Sequence, residues 1–289
     1  MSRDVLSLVR PKHWLKNVFV LAPLVFAEPA DLTSATARVA VAFAVFCLLS
    51  SAVYCINDVL DRDADRNHPR KRLRPVASGR IPVAGALAVG GLLLASGLAL
   101  ALVTLPAGVS VVAGLYLANN VAYTTFLKHR VIVDVISIAF GFVLRLLAGA
   151  HAVPAEPSSW LLVCGFAISL LLGLGKRRAE LGSVGASART RPSLRVYTSE
   201  KLDVLLSTAA SLTLLSYMLY TVSAETQELH GTDSLVYTTP LVAYGVFRFI
   251  FKAQEARGDG PVEILSADLM FPTIGVMWAV SVLIIIRWL

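Results

Sequence analysis

Long apolar stretches alternate with short polar ones along the whole chain. The apolar runs fall at about 14–28, 36–56, 83–104, 107–127, 131–152, 159–175, 202–222, 236–252 and 269–288. Most approach the ~20 residues that an α-helix needs to cross a bilayer. The pattern predicts an all-α, polytopic membrane protein with nine transmembrane helices. The first run opens on Trp14, an interfacial residue type beside Lys12 and Lys16, and holds Pro23, which predicts a kink. The longest polar segments, 57–82 and 176–201, are too short for a soluble domain. One membrane domain over 1–289 is expected, with 57–82 and 176–201 as its two long polar loops.

Composition agrees with the pattern. The 289 residues are 56% hydrophobic and only 16% charged, against about 25% charged in soluble proteins. The start, MSRDVLSLVRPKHWLKN, lacks an apolar run ending in a small-residue cleavage site, so no removable signal peptide is expected. Cys47, Cys55 and Cys164 lie in or beside apolar runs without ligand spacing and read as buried free thiols.

A net charge of +7 could suggest nucleic acid, but its distribution argues otherwise. With a cytoplasmic N-terminus, the loops 57–82, 128–130, 176–201 and 253–268 are cytoplasmic too. Together with their helix ends and the N-terminal segment they hold 23 of the 26 Lys and Arg residues, all but Arg38, Arg145 and Arg287. The opposite loops carry Glu28, Asp31, Glu156, Glu225, Glu228 and Asp233. This is the positive-inside pattern of a cell-membrane protein, and no nucleic-acid partner is expected.

The loop NDVLDRDADRNHPRKRLRPVASG, residues 57–79, concentrates four aspartates among six Lys or Arg residues. If the preceding helix continues past Asn57, Asp58, Asp61 and Asp65 share one face and Asp63 points away. Three like charges on one face repel one another unless a cation lies between them. Carboxylate oxygens suit Mg²⁺, which keeps some waters and binds substrate phosphates. Lys71 and Arg74, with Arg66, Arg70 and Arg72, could hold the same phosphates. A solvated loop of mutually paired charges would share this composition; the single-face spacing, Asn57 and the later RPxxSG favour a ligand site.

These residues resemble the signature loop of the UbiA superfamily of intramembrane prenyltransferases. The resemblance implies a nine-helix bundle whose aspartate-rich loops bind a diphosphate through Mg²⁺ at the cytoplasmic rim. Such enzymes commonly carry a second DxxxD loop after the sixth helix. The corresponding segment here, GLGKRRAELGSVGASARTRPSLRVYTSEKL, offers Lys176, Arg177, Arg178, Glu180, Arg189, Arg191 and Arg195 but no second carboxylate pair. GKRRAEL, the RxYT containing Tyr197, and the N-terminal RPKHWLKN are similar to one branch of the superfamily. That similarity implies transfer of phosphoribose from 5-phosphoribosyl-1-diphosphate to a polyprenyl (decaprenyl) phosphate, for cell-wall arabinan precursors.

Asp58, Asp61, Asp65 and Asn57 are then the expected catalytic residues, the three aspartates holding Mg²⁺ and Asn57 orienting the donor. Lys71, Arg74, Lys176, Arg177 and Tyr197 are among the expected substrate-binding residues. The donor's 5-phosphate and the lipid phosphate would dock on basic side chains, with Glu180 on ribose hydroxyls or assisting Lys176. Lys16 gains weight from the RPKHWLKN match. Tyr123 and Lys128, in AYTTFLKHR, are candidate phosphate or ribose contacts, or else an interfacial aromatic and a topology charge. Asp134, near the rim, and Arg145, ~16 Å of rise further along the same helix face, are further substrate-binding candidates. Arg145 lines the cavity or contacts the lipid, or else forms a structural interhelix salt bridge. Two alternatives stay open: a UbiA enzyme moving an isoprenoid chain onto an aromatic or haem acceptor, which needs a second carboxylate loop, and a transporter, whose polar residues would sit near the midplane. A homo-oligomer is also left open.

Overall fold

The computed structural model describes residues 3–26, 31–67, 71–153, 158–182, 196–256 and 261–288, and every regular element among them is helical. The chain divides into two compact units. The first runs through Phe126 and takes in Leu144–Pro157; the second comprises Leu127–Val143 and the chain from Ser158. The helix Val133–Ala152 contributes to both.

In the first unit, α1 (Arg3–Val9) and a 3-10 segment (Pro11–Val20) precede α2 (Ala22–Phe26), α3 (Leu32–Leu60), α4 (Arg62–Arg66), α5 (Val83–Thr104) and α6 (Ala107–Thr125). Asp31 caps α3 by accepting from the Thr33 and Ser34 amides at 3.0 and 3.2 Å. Helix α3 packs on α5, α6, α1 and the 3-10 segment. Its inner face supplies Val39, Ala42, Val45, Phe46 and Leu49 to a core shared with Val109, Val112, Tyr116 and Leu144. Gly97 allows α5 to approach closely, since a Cβ there would lie 3.0 Å from Leu49.

In the second unit, α7 (Val133–Ala152) contributes its first half, followed by α8 (Ser159–Gly182), α9 (Ser199–Val222), α10 (Ala224–His230), α11 (Thr239–Glu255), α12 (Pro261–Ala267) and α13 (Met270–Trp288). Helices α8, α9 and α11 pack together around Leu171, Leu174, Leu202, Leu206, Val246 and Phe249. A Cβ at position 175 would lie 2.5 Å from the Phe249 ring and force it to move, so glycine favours that approach.

Among the described residues, seven helices are long and apolar enough to cross a membrane: α3, α5, α7, α8, α9, α13 and the stretch Ser234–Glu255 that ends in α11. Two of the nine expected spans fall outside that set. Helix α6 has 19 residues but carries Asn119, Asn120, Thr124 and Thr125. The first run forms a 3-10 segment and then the five-residue α2 instead of one long helix. Arg10 in a left-handed conformation (φ 55°) and Pro11 at the segment's start set its entry, and Pro23 sits in the first turn of α2.

Two expected boundaries also move, both lengthening helices. Helix α3 runs to Leu60, so Asn57 and Asp58 are helical and not part of a loop. Helix α8 runs to Gly182, so Lys176, Arg177, Arg178 and Glu180 are helical as well. KRRAE consists of strong helix formers, and Arg177–Glu180 and Lys176–Glu180 have the i,i+3 and i,i+4 spacings of helical ion pairs.

Candidate active site

The aspartates 58, 61 and 65 sit on two helical pieces joined without losing the backbone ladder. The Asp61 amide donates to the Asn57 carbonyl and the Asp65 amide to the Asp61 carbonyl, both at 2.8 Å. The continuity keeps Asp58 and Asp65 close enough for one guanidinium to bridge them. Arg74 Nη1 donates to Asp65 Oδ2 at 2.6 Å and to Asp58 Oδ1 at 3.3 Å. Asp61 is half-buried, whereas Asp63 is 90% exposed, as the face argument requires.

Arg10 completes the group. Its guanidinium hydrogen-bonds to Asp58 Oδ1 and lies 5.0 Å from the centre of the Tyr54 ring. Sequence reasoning missed Arg10 although it opens the quoted RPKHWLKN, because 48 residues separate it from Asp58. Asp58 is buried, its side chain 2% exposed, and its second oxygen, Oδ2, has no hydrogen-bond partner. Asn57 accepts at Oδ1 from the Thr124 hydroxyl at 3.0 Å, a second contact the sequence did not reveal.

The loop after α4 folds back to carry Arg74. Pro75, Val76 and Ala77 are buried, Gly79 turns the chain at φ 79°, and the Ile81 amide donates to the Pro75 carbonyl at 3.0 Å. Arg66 donates to the Ala77 carbonyl at 3.1 Å. Lys71 opens the short turn Lys71–Leu73 and is half-buried, as are Lys16 on the 3-10 segment and Tyr123 on α6. Arg70 lies outside the described residues.

Deeper in the same unit, Arg145 is buried and donates from Nε to Asn17 Oδ1 at 2.7 Å and from Nη2 to the Tyr116 hydroxyl at 3.1 Å. Its guanidinium also stacks 4.7 Å from the Tyr116 ring centre. Asn17 in turn donates to Cys47 and Ser50, both at 3.3 Å. These contacts tie α7, α6 and the 3-10 segment together.

The second unit holds a different cluster. Arg177 is fully buried and sends Nε to Asp134 Oδ2 and Nη1 to Glu180 Oε2, each at 2.6 Å. Asp134 is fully buried too, and its Oδ1 accepts from the Tyr197 hydroxyl at 3.1 Å. That hydroxyl accepts from the Ile132 amide at 2.8 Å. Ile132 has φ 69°, a strained conformation for a β-branched residue. Burial pushes the Tyr197 phenol up to about 12, which keeps it a donor to Asp134. Glu180 remains 22% exposed, with Lys176 Nζ 4.0 Å from Oε1. Lys128, in the turn Leu127–His129, is half-buried. Arg189, Arg191 and Arg195 lie outside the described residues.

The donor chemistry of the first cluster suits a hard divalent cation, and Asp58 Oδ2 is a buried carboxylate oxygen with capacity to spare. The expected ring of three carboxylates around an ion is not what the side chains form. Among the described residues, no three His, Cys, Asp or Glu side chains gather closely enough to hold one by themselves. Arg74 occupies the space between Asp58 and Asp65 because two buried negative charges need a counter-charge.

Residues 17–265 match the model of the UbiA prenyltransferase family. The decaprenyl-phosphate phosphoribosyltransferase of Corynebacterium glutamicum is 34% identical, over 96% of this chain and 85% of its own. The enzyme of the same name from Mycolicibacterium smegmatis is 33% identical, over 95% and 89%. Among solved structures, a UbiA homolog from Archaeoglobus fulgidus bound to GPP and Mg²⁺ superposes with TM-score 0.74 at 20% identity, over 98% of this chain and 99% of that one.

Proposed function

Because the chain belongs to the UbiA prenyltransferase family, we propose that it is a membrane-embedded transferase moving 5-phosphoribose from 5-phosphoribosyl-1-diphosphate to a polyprenyl phosphate, with release of diphosphate. The observation that carries the reading is identity of 33–34% along nearly the whole chain to decaprenyl-phosphate phosphoribosyltransferases. The second cluster fits it: KRRAE on α8 brings Lys176 and Arg177 to one acid, Glu180, and offers no second carboxylate pair. That absence disfavours a prenyl-diphosphate donor held by two metal loops. The curated relatives spanning the chain are transferases, which leaves the transporter reading without support.

Asp58, Asp61 and Asp65 would hold Mg²⁺, with phosphate oxygens and water completing its shell, and Asn57 would be aimed by Thr124. The ion, when bound, would draw negative charge away from the leaving diphosphate. Arg10 and Arg74 stand at the same carboxylates and can take phosphate oxygens as the C1–O bond of ribose breaks. The developing oxocarbenium carbon is attacked by an oxygen of the lipid phosphate. That phosphate is already anionic, so no strong general base is needed. Lys16, Lys71, Tyr123, Lys128 and Lys176 are assigned to the remaining phosphates, and Glu180 to ribose hydroxyls.

Asp134, Arg177 and Tyr197 are assigned to bracing Glu180 and the turn that carries Lys128. Arg145, held by Asn17 and Tyr116, braces its helices. The positive-inside pattern supports a location of the acidic helix end at the cytoplasmic face of a bacterial plasma membrane. The test supplies purified protein with 5-phosphoribosyl-1-diphosphate labelled in the ribose, together with decaprenyl phosphate and Mg²⁺. Label passing to the lipid fraction is expected. Its absence, with transfer of an isoprenoid chain to an aromatic acceptor instead, would overturn the assignment.

A further inference from the structure

Asp58 is loaded unevenly. One oxygen, Oδ1, is shared by two guanidinium groups, from Arg10 and from Arg74, while Oδ2 is buried and has no hydrogen-bond partner. The carboxylate is 2% exposed, whereas Arg10 and Arg74 are 18% and 28% exposed. The acid is thus fixed inside, and the two cations sit at its outer side within reach of solvent. Arg10 belongs to a backbone held at φ 55°, with its charge over the Tyr54 ring. The Arg10 side chain plays no part in capping the 3-10 segment, so its guanidinium is left to Asp58 and the Tyr54 ring.

We propose that Arg10 and Arg74 are exchangeable counter-ions: they neutralise Asp58 and Asp65 until a metal–diphosphate arrives, then transfer to its phosphate oxygens. The inference rests on the reading of this helix end as the donor-diphosphate site. Within the ion-paired group itself, Asp58 and Asp65 are matched by Arg10 and Arg74 without any ligand. A divalent cation approaching alone adds two positive charges beside two guanidinium groups, and like charges at such separations repel strongly where water is scarce. A diphosphate arriving with the cation supplies the compensating negative charge. The arginines then gain bidentate acceptors as the metal takes over the carboxylates. The consequence is an order of binding, in which the site refuses the bare cation and accepts it together with diphosphate.

The test measures two affinities on the full-length protein in detergent. Mn²⁺ alone is titrated by electron paramagnetic resonance of the free ion. Radiolabelled inorganic diphosphate is titrated by retention on the protein at saturating Mn²⁺. Arg10→Gln and Arg74→Gln should each tighten Mn²⁺ alone by roughly fivefold and weaken diphosphate by roughly tenfold, since one unit charge is removed near both ligands. Arg10→Lys keeps the charge and should bind Mn²⁺ alone as the wild type does. Opposite signs in the two titrations support the exchange. Unchanged or weaker Mn²⁺ binding in both Gln variants, or loss of both ligands together, overturns it. If the wild type retains no diphosphate with Mn²⁺, the donor-site reading itself fails; retention with same-sign shifts in the variants defeats only the exchange.

Discussion

The two charged clusters use the same residue types to opposite ends. Around Asp134 the accounts are closed: Arg177 is fully buried with its arms on Asp134 and Glu180, and Tyr197 fills the other aspartate oxygen. Around Asp58 a buried oxygen has no hydrogen-bond partner, and both arginines reach toward solvent. A buried charge saturated by protein partners braces a fold. One left half-filled beside partly exposed cations is prepared for something that comes and goes.

The contrast is sharpest in activity. Asp58→Asn should lower phosphoribosyl transfer by about three orders of magnitude, roughly 4 kcal/mol of transition-state stabilisation. Its thermal unfolding should stay near that of the wild type. Asp134→Ala should do the reverse first, leaving the fully buried Arg177 with only the partly exposed Glu180 and costing about 3 kcal/mol of stability by thermal or denaturant unfolding. The comparison breaks if Asp58→Asn melts as early as Asp134→Ala. A smaller effect is expected at Thr124→Val, which frees Asn57: transfer should fall about tenfold, near 1.4 kcal/mol, with little change in unfolding.

The smallest effect concerns pH. The Tyr197 phenol is raised from an ordinary 10.0 to about 12 in the folded chain. Its stabilisation is therefore complete below pH 10 and is lost as pH climbs toward 12. Tyr197→Phe should lower neutral-pH stability by about 1 kcal/mol and remove this contribution to alkaline unfolding. An alkaline limb identical in both proteins would place the sensitivity elsewhere.

Periodicity carried the reading of the acidic helix end a long way. The i, i+3, i+7 spacing placed Asp58 and Asp65 within reach of one arginine and turned Asp63 outward. Hydropathy also placed the long apolar helices α3, α5, α7, α8, α9, α11 and α13. Periodicity failed where partners are remote in sequence. Arg10 meets Asp58 across 48 residues, Tyr197 meets Asp134 across 63, and Asn17 meets Arg145 across 128. No local pattern encodes those meetings, because they are fixed by packing between helices. The two misjudged helix ends have another cause: hydropathy drops at Asn57 and Lys176, but helix propensity and i,i+4 pairing do not. The 3-10 segment Pro11–Val20 was read as an ordinary span because apolarity does not report how tightly a backbone is wound.

The extension of α8 through Glu180 governs which changes in length the chain can absorb. Extra residues in a surface loop alter only its slack. One residue inserted between Arg177 and Glu180 would turn everything after it by ~100° about the helix axis and carry the glutamate out of reach of its arginine. Homologues of this chain should therefore keep the spacing from Lys176 to Glu180 constant.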